Sequence, residues 1–398
     1  MKPPHLFLIA GEPSGDLLGA ALIRGLRELC GPALNLEGVG GPSMREVGFE
    51  SRFPMEELSV MGIAEVLPRL PNLLKRIRET SEAVIAAEPD ALITIDSPDF
   101  CLRVAKRARK ALPGLKVIHY VAPSVWAWRP SRAQKMARSV THVLALLPFE
   151  PPYMQAAGMT CDFVGHPVVQ TPIIRSAEIA ELRQALDIAP GRQVLVVLPG
   201  SRRSEVRRLA PVFREVVDRL RLERPDLAVV IPAVGPVTEL IEAHFGTGQD
   251  AAAIILKASD VPSDRVERRK QTAFAMADAA LAASGTVSLE LAAQATPMVI
   301  AYGANPVTSA IARRLIKLDS VTLVNLVTET VAVPEFLLEN CRPELIAPAV
   351  SRLLSDPDAA VQQRIAADDA LDRLGRGGED PGLRAARSVM NIVVSRDH

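Results

Sequence analysis

Residues 279–290 have the sequence AALAASGTVSLE, in which a short apolar run leads through small residues into a segment of helical spacing. Residues 194–205, VLVVLPGSRRSE, repeat this order. A buried strand that turns through small residues into a helix is the building unit of an α/β sheet. Both turns are therefore predicted at the carboxyl edge of such a sheet, where the N–H groups at a helix start bind negatively charged ligands.

The side chains in these two turns suit a nucleotide sugar. Ser284, Gly285 and Thr286 are small enough for phosphate to approach their backbone. Arg202 presents a fork of donors that matches a diphosphate. Glu290 comes about one helical turn later, within reach of a ribose. Two such elements in the second half of the chain indicate a nucleotide-sugar site.

The whole chain alternates apolar runs with helical patterns, which predicts parallel sheets covered on both faces. The predicted strands span residues 6–10, 34–39, 91–95, 117–121, 143–147, 162–164, 194–198, 227–231, 279–283 and 298–301. The predicted helices span residues 16–29, 73–87, 100–111, 132–138, 204–221, 286–293 and 308–316, and from 342 onward only helices are expected. A Pro-rich connection at 165–172 marks a domain boundary. The predicted fold class is α/β, with two Rossmann-like, doubly wound domains that face a cleft.

Composition excludes several classes of protein. The chain has 398 residues and a net charge of zero, so we expect no nucleic-acid partner. Its four cysteines are far apart, which argues against a zinc site or a disulfide framework. No apolar run reaches the ~18 residues that span a bilayer, so we expect a cytoplasmic protein whose membrane contact is peripheral.

The first domain offers a candidate general base. Asp96 follows the strand at 91–95, and a carboxylate at a strand end can take a proton from a hydroxyl acceptor. The alternative is that Asp96 and Asp99 both cap the next helix. In the turn after the first strand, Ser14 and Asp16 either bind the acceptor or belong to an ordinary turn, in which one of them caps the first helix.

Three further features each have a functional and a structural interpretation. Trp126 and Trp128 lie two apart in a loop, where Trp126 forms a wall of an acceptor pocket or packs against the next helix. Asn325 stands between apolar residues, so it contacts the ligand or ties down a turn. A basic amphipathic stretch, interrupted at its start by prolines, rests on anionic lipid or covers the core. Its apolar side comprises Val66, Leu70, Leu73, Leu74 and Ile77.

Together these segments closely resemble the lipid-A-disaccharide synthase family, inverting glycosyltransferases of the GT-B architecture. The similarity extends from Ile9 to about Leu338 and is specific in its order and spacing. It is strongest at residues 11–16, 61–62, 95–100, 119–129, 147–150, 165–166, 198–202 with 205, and 284–290.

The resemblance implies a reaction between two acylated sugars. The donor is UDP-2,3-diacylglucosamine, the acceptor is 2,3-diacylglucosamine 1-phosphate (lipid X), and the products are a β-1,6-linked disaccharide 1-phosphate of lipid A biosynthesis and UDP. Residues 1–168 would then bind the acceptor, residues 169–340 the UDP-sugar, and the helical tail at 341–398 would pack on both. The family implies no metal cofactor and a peripheral site on the cytoplasmic face of the inner membrane.

The resemblance also assigns roles to residues. Asp96 would be the base, Arg202 and the amides of 284–286 would stabilise the leaving diphosphate, Glu290 would hold the ribose, and Asn325 would orient the donor. The family usually has proline at the position of Val324 and a basic residue at that of Gly303, both near the predicted donor site.

Three alternatives stay open at this point. A UDP-N-acetylglucosamine 2-epimerase or another GT-B enzyme shares the two-domain plan, and a non-catalytic nucleotide-sugar-binding paralogue would keep the donor site. A homodimer through the helical tail is also left open.

Overall fold

The computed structural model describes residues 3–31, 34–58, 63–126, 131–233, 235–248, 251–303 and 320–395, without the side chains of 63–69 and 236. It divides into two compact units. The first comprises Met1–Pro167 together with Gly377–His398, and the second comprises Val168–Arg376. The segment at 341–398, treated as one tail from the sequence, thus contributes to both units.

The first unit is built on a parallel sheet with the strand order β2-β1-β3-β4-β5-β6. Its strands are β1 (His5–Ala10), β2 (Asn35–Val39), β3 (Ala91–Ile95), β4 (Lys116–Tyr120), β5 (His142–Ala145) and β6 (Thr160–Phe163). Phe7 and Ile9 face one hydrophobic cluster, whereas Leu6 and Leu8 face another. Both faces of the sheet are therefore covered, as the continuous apolar runs require.

Helices cover these two faces. They are α1 (Pro13–Cys30), α2 (Pro42–Glu46), α3 (Ile63–Ala87), α4 (Pro98–Ala111), α5 (Ser131–Ala137), α6 (Pro151–Gln155) and the last helix of the chain, α15 (Pro381–Val394). Ala385 and Val389 of α15 share a buried cluster with Leu22 of α1. The end of the chain therefore completes the core of the first unit.

The second unit has a parallel sheet with the strand order β12-β11-β10-β7-β8-β9. Its strands are β7 (Val194–Leu198), β8 (Ala228–Ala233), β9 (Ile254–Lys257), β10 (Ala279–Ala283), β11 (Met298–Tyr302) and β12 (Glu335–Leu337). Its helices are α7 (Ser176–Ala185), α8 (Arg203–Glu223), α9 (Thr238–Phe245), α10 (Ser263–Ala275), α11 (Val287–Ala293), α12 (Leu323–Thr328), α13 (Pro343–Ser355) and α14 (Pro357–Arg373).

Each sheet has one point at which the chain reverses its direction of winding. In the first sheet this point lies between β1 and β3, and in the second between β7 and β10. The loops after the carboxyl ends of such paired strands diverge and leave a crevice, which is where open α/β sheets bind ligands. All the predicted catalytic and phosphate-binding residues lie in these four loops or directly after them.

The predicted parallel α/β sheets are confirmed, and the bounds of β3, β7 and β10 match the prediction. The sequence missed β9 and β12, which are edge strands with few fully buried residues and therefore lack a strong apolar signal. Helix α3 continues through Pro68 and Pro71, where a break was expected. The helix predicted at 308–316 lies outside the described residues.

Candidate active site

The crevice of the first sheet depends on a close approach of two loops. Ala10 at the end of β1 is in register with Ile95 at the end of β3. Gly11 then passes so near the second loop that a Cβ on it would lie 2.7 Å from Ser97 Oγ. A side chain at position 11 would push the two loops apart, so glycine is required here.

Asp96 is the first residue after β3 and has an unusual backbone conformation. Asp96 and Ser97 both have a positive φ, 52° and 43°. Residues held in this region typically cost ~1–3 kcal/mol each and cluster at functional sites. The Asp96 N–H donates to the Tyr120 carbonyl (2.9 Å), and Ser14 Oγ donates to Asp96 Oδ2 (3.1 Å). The backbone contact thus holds the turn, and the serine hydroxyl contacts one oxygen of the half-buried carboxylate.

The alternative role for Asp96, capping the next helix, does not fit this geometry. The N-cap residue of α4 is Ser97, and no side chain makes a capping hydrogen bond there. Asp99 is exposed in the first turn of α4. Neither aspartate is therefore a cap.

Asp16 has a structural role, although not as the cap of α1, whose N-cap residue is Glu12. It is 2% exposed, and its carboxylate accepts hydrogen bonds from the backbone N–H groups of Gly41 (2.8 Å), Ser43 (2.7 Å) and Met44 (3.0 Å). It therefore caps α2 from the first turn of α1. Acceptor binding by Asp16 stays a prediction, and these contacts do not require it.

Trp126 is held by a buried carboxylate that the sequence singled out without a role. Trp126 Nε1 donates to Glu150 Oε1 (3.3 Å), and the indole packs edge-on against Phe149 with ring centroids 5.2 Å apart. Glu150 also accepts from the Leu147 N–H (3.0 Å). Burial raises the pKa of Glu150 to about 7, against the opposing effect of these hydrogen bonds. Trp128 lies outside the described residues.

The crevice of the second sheet contains a cavity of about 420 Å³. The loops after β7 and β10 form its walls, with Glu290 from α11 and Lys270 from α10 beside them. The lining includes Gly200, Ser201, Arg202, Glu205, Ser284, Gly285 and Thr286. Four of the residues predicted to contact the diphosphate and one predicted to hold the ribose therefore share a single cavity.

The backbone of the second loop leaves room and donors for an anion. The Ser284 N–H donates to the Ala301 carbonyl (3.2 Å), so the sheet already uses this donor. The N–H groups of Gly285 and Thr286 have no acceptor among the described residues. A Cβ on Gly285 would meet no atom within 4 Å, so this position borders open space. A phosphate can therefore approach the last two amides but not the first.

Arg202 is the more exposed of the two cations that line this cavity. Its side chain is 60% exposed and pairs with Glu205 (3.2 Å). Gly200 makes room for Glu205 in this loop. Its φ is 116°, and a Cβ at this position would lie 2.7 Å from the Glu205 side chain. An exposed, singly paired guanidinium can turn toward a diphosphate at low cost.

Asn325 and the departure at Val324 both concern α12. Asn325 is 3% exposed; its Nδ2 donates to the Val333 carbonyl (2.9 Å), and its Oδ1 accepts from the Val333 N–H (2.9 Å). It thus ties down the turn after α12, and its donor contact stays a prediction. Val324 is the second residue of α12, where proline would cost no helical hydrogen bond. This departure leaves the local backbone possible with either residue.

At Gly303, where the family usually has a basic residue, an arginine from α8 lies against the backbone. Arg208 donates to the Gly303 carbonyl (2.8 Å), and its Cδ would lie 3.3 Å from a Cβ at position 303. The guanidinium of Arg208 therefore brings a positive charge to the end of β11, next to the position where the family usually has a basic residue.

The predicted membrane residues of α3 divide into exposed and buried side chains. Leu70 and Leu74 are 37% and 48% exposed. Leu73 packs partly against the core, and Ile77 is 3% exposed within it. A buried side chain cannot contact lipid, so Ile77 is removed from this set, whereas the side chain of Val66 lies outside the described residues. No helix in the described ranges is long and apolar enough to cross a bilayer.

The structure thus brings Ser14 and Asp96 together in the first unit, and Arg202, Gly285, Thr286 and Glu290 together in the second. That both groups face one cleft stays a prediction. Two residues of these sites were missed: Glu150, whose signal is one acidic residue in the apolar sequence LPFE, and Lys270, which ends the basic run RRK at 268–270.

Known proteins resemble this chain over most of its length. A family model described as lipid-A-disaccharide synthetase matches residues 6–379. The lipid-A-disaccharide synthase of Ruegeria pomeroyi is 54% identical over 387 residues, which cover 97% of this chain and 95% of that protein. The lipid-A-disaccharide synthase of Rhodospirillum centenum is 48% identical over 396 residues, covering 100% of this chain and 96% of that protein.

Among solved structures, the chain is similar to a UDP-GlcNAc 2-epimerase from Neisseria meningitidis bound to UDP-GlcNAc. The TM-score is 0.63 at 12% identity, and the match covers 99% of this chain and 100% of that one. At this identity the likeness concerns the fold alone, and it confirms the predicted GT-B fold.

Proposed function

The chain belongs to the lipid-A-disaccharide synthase family, and we propose that it transfers 2,3-diacylglucosamine from UDP to the 6-hydroxyl of 2,3-diacylglucosamine 1-phosphate. The observation that carries this proposal is the cavity between the ends of β7 and β10. It combines free backbone amides, an exposed guanidinium and a carboxylate, which are the groups needed for the diphosphate and ribose of a UDP-sugar.

The reaction is a single in-line displacement. The acceptor hydroxyl gives its proton to Asp96 while its oxygen forms a bond to the anomeric carbon of the donor. The bond from that carbon to the diphosphate oxygen breaks, and the electron pair leaves with UDP. Attack from the face opposite UDP inverts the anomeric centre and gives the β-linkage.

The chain's groups have separate tasks in this step. Asp96, whose carboxylate accepts from Ser14 and whose backbone is held by the Tyr120 carbonyl, is the proton acceptor. Arg202 and the amides of Gly285 and Thr286 stabilise the charge that develops on the leaving diphosphate. Removal of one such donor from a preorganised site typically costs ~3–4 kcal/mol of barrier.

The acylated substrates also require access to a membrane surface. We place the enzyme at the cytoplasmic face of the inner membrane, in peripheral contact through the exposed leucines of α3, Leu70 and Leu74. Basic residues of the same helix, including Lys75 and Arg78, are exposed and suit anionic lipid headgroups.

Incubation of the purified full-length chain with both acylated glucosamine substrates tests the proposal. Mass analysis should detect the disaccharide 1-phosphate and one equivalent of UDP. Incubation with UDP-N-acetylglucosamine alone is the matched control, because an epimerase would convert that sugar without a lipid acceptor. Epimerisation there, with no disaccharide in the first reaction, would overturn the proposed function.

A further inference from the structure

Glu290 would face a diphosphate with a negative charge of its own, because its carboxylate lines the same cavity as Arg202 and Gly285. Like charges in a partly desolvated site repel each other. A carboxylate in this place is useful only if its charge is offset and if one of its oxygens is directed at a hydroxyl of the ligand.

Lys270 provides the offset. Its Nζ lies 2.7 Å from Glu290 Oε2 and 2.9 Å from Glu267 Oε1. Burial opposes the charge of Lys270, but the two glutamates outweigh it and raise its pKa above the ordinary value. The ammonium therefore stays charged at neutral pH, and its aliphatic chain belongs to the wall of the cavity.

Gln271 holds the same oxygen of the Glu290 carboxylate as Lys270 does. Its Nε2 donates to Glu290 Oε2 (3.3 Å) and to Glu267 Oε1 (2.9 Å), while its Oε1 accepts from Gln294 Nε2 (3.1 Å). Both contacts to the Glu290 carboxylate thus go to the same oxygen, Oε2. Its Oε1 accepts no hydrogen bond from the described part of the chain. The carboxylate is held by one oxygen and leaves the other free.

We propose that Lys270 is a positioning residue of the donor site: with Gln271 it holds Oε2 of Glu290 so that Oε1 accepts a hydrogen bond from a ribose hydroxyl. The inference rests on the proposed function, since it needs a nucleoside diphosphate in this cavity. This arrangement predicts a preference for ribonucleotides, because a ligand without the 2′-hydroxyl cannot donate that hydrogen bond to Glu290 Oε1.

Calorimetric titration of the full-length protein with UDP and with 2′-deoxyuridine 5′-diphosphate measures this specificity. The unmodified protein should prefer UDP by about tenfold or more, because a hydrogen bond to a charged group is worth at least the free energy of one power of ten in affinity. Lys270→Met should reduce this preference to near unity, and Lys270→Arg should retain part of it. Lys270→Gln is a second variant should the methionine variant fail to fold.

Two further variants separate positioning from general damage. In a Glu290→Gln background, Lys270→Met should change the ratio of the two affinities no further, because both residues act through one contact. Arg268→Met is the matched control: Arg268 is a cation of the same helix that pairs with Glu178 (2.8 Å) and does not line the cavity. It should leave the ratio unchanged.

The outcomes distinguish the inference from the function beneath it. If the unmodified protein does not bind UDP, the donor site fails and the inference fails with it. If it prefers UDP and Lys270→Met keeps that preference, the role of Lys270 is wrong while the donor site stands. Equal loss of the preference in Arg268→Met would also overturn the inference, because the effect would then belong to the helix as a whole.

Discussion

The two sheets of this chain share a local design and differ in the chemistry at their crevices. Each crevice lies between strands whose loops diverge, after β1 and β3 in one unit and after β7 and β10 in the other. In the first, the Asp96 carboxylate accepts a hydrogen bond from a serine hydroxyl and the Asp96 backbone donates to a carbonyl. In the second, Arg202 and Lys270 line the same cavity as Gly285. One backbone plan therefore carries the proposed proton acceptor in one unit and the proposed anion site in the other.

The two crevices also differ in how they hold their backbone. In the first, the positive φ angles belong to Asp96 and Ser97, which have side chains. In the second, the positive φ belongs to Gly200, where it costs little. The proposed proton acceptor thus lies in a turn with uncommon backbone angles, whereas the proposed anion site keeps space free through a glycine and has an exposed cation.

The largest effect should come from Asp96→Asn. Asparagine keeps the shape, tolerates the positive φ and still accepts from Ser14, but it cannot take a proton. We expect transfer to fall by about 10²–10⁴-fold with UDP affinity unchanged, measured by product formation and by calorimetry. Asp99→Asn, at an exposed aspartate of the same segment, should leave the rate unchanged. Near-normal turnover of Asp96→Asn would remove the proton acceptor from the first crevice.

The next effect concerns the pH dependence of the first unit through Glu150. Its folded pKa is about 7, above the reference value of 4.5, so the folded protein binds its proton more tightly than the unfolded chain. The protonated Glu150 therefore stabilises the folded protein fully below pH 4.5, and this stabilisation is lost as the pH rises from 4.5 to about 7. The difference of the two values corresponds to about 3 kcal/mol.

Glutamine does not titrate, so Glu150→Gln should not lose stability in this pH range. The free energy of unfolding of the variant should therefore rise relative to that of the unmodified protein as the pH increases from 4.5 to about 7. Denaturant unfolding followed by tryptophan fluorescence reports on the first unit, because both tryptophans of the chain lie there. Glu50→Gln, at an exposed glutamate, is the control. Parallel stability curves for Glu150→Gln and the unmodified protein would contradict the assignment of a buried, proton-binding carboxylate.

Arg202→Gln tests the second crevice in the opposite sense to Asp96→Asn. Loss of charged donors to a diphosphate should raise the Kd for UDP by about 10- to 100-fold. Arg207→Gln, at an exposed arginine of the helix that follows this loop and outside the cavity, should have no effect. Unchanged UDP affinity of Arg202→Gln would leave the amides of Gly285 and Thr286 as the only diphosphate donors proposed here.

The smallest effect extends the comparison to the surfaces of the two units. Leu74→Ser should weaken binding to anionic vesicles by about tenfold or less, because the exposed half of one leucine side chain is lost from the apolar contact. Leu222→Ser is matched to it, since Leu222 is an 85% exposed leucine on α8 of the second unit. Equal behaviour of the two variants in a sedimentation assay would show that α3 is not a membrane contact.

The sequence by itself determined the two-sheet plan and the location of both crevices. Strands buried on both faces must be continuous apolar runs, and the small residues that follow β7 and β10 mark the turns. Sequence therefore predicted where Asp96, Arg202 and Glu290 lie relative to strand ends, because such positions are local properties of the chain. Their roles in the reaction stay predictions. The sequence missed β9 and β12, which are short and have few fully buried residues, so their apolar signal is weak.

Only the tertiary structure showed which distant groups the polar side chains contact. Asp16 caps α2 because the amides of Gly41, Ser43 and Met44 come to it, and Asn325 binds the backbone at Val333. Glu290 lies on α11, whereas its two partners, Lys270 and Gln271, lie on α10. Hydrogen bonds and ion pairs act over a few ångströms of space, whereas sequence patterns report only which residues neighbour each other along the chain. The identity of such partners therefore emerges only when the chain is folded.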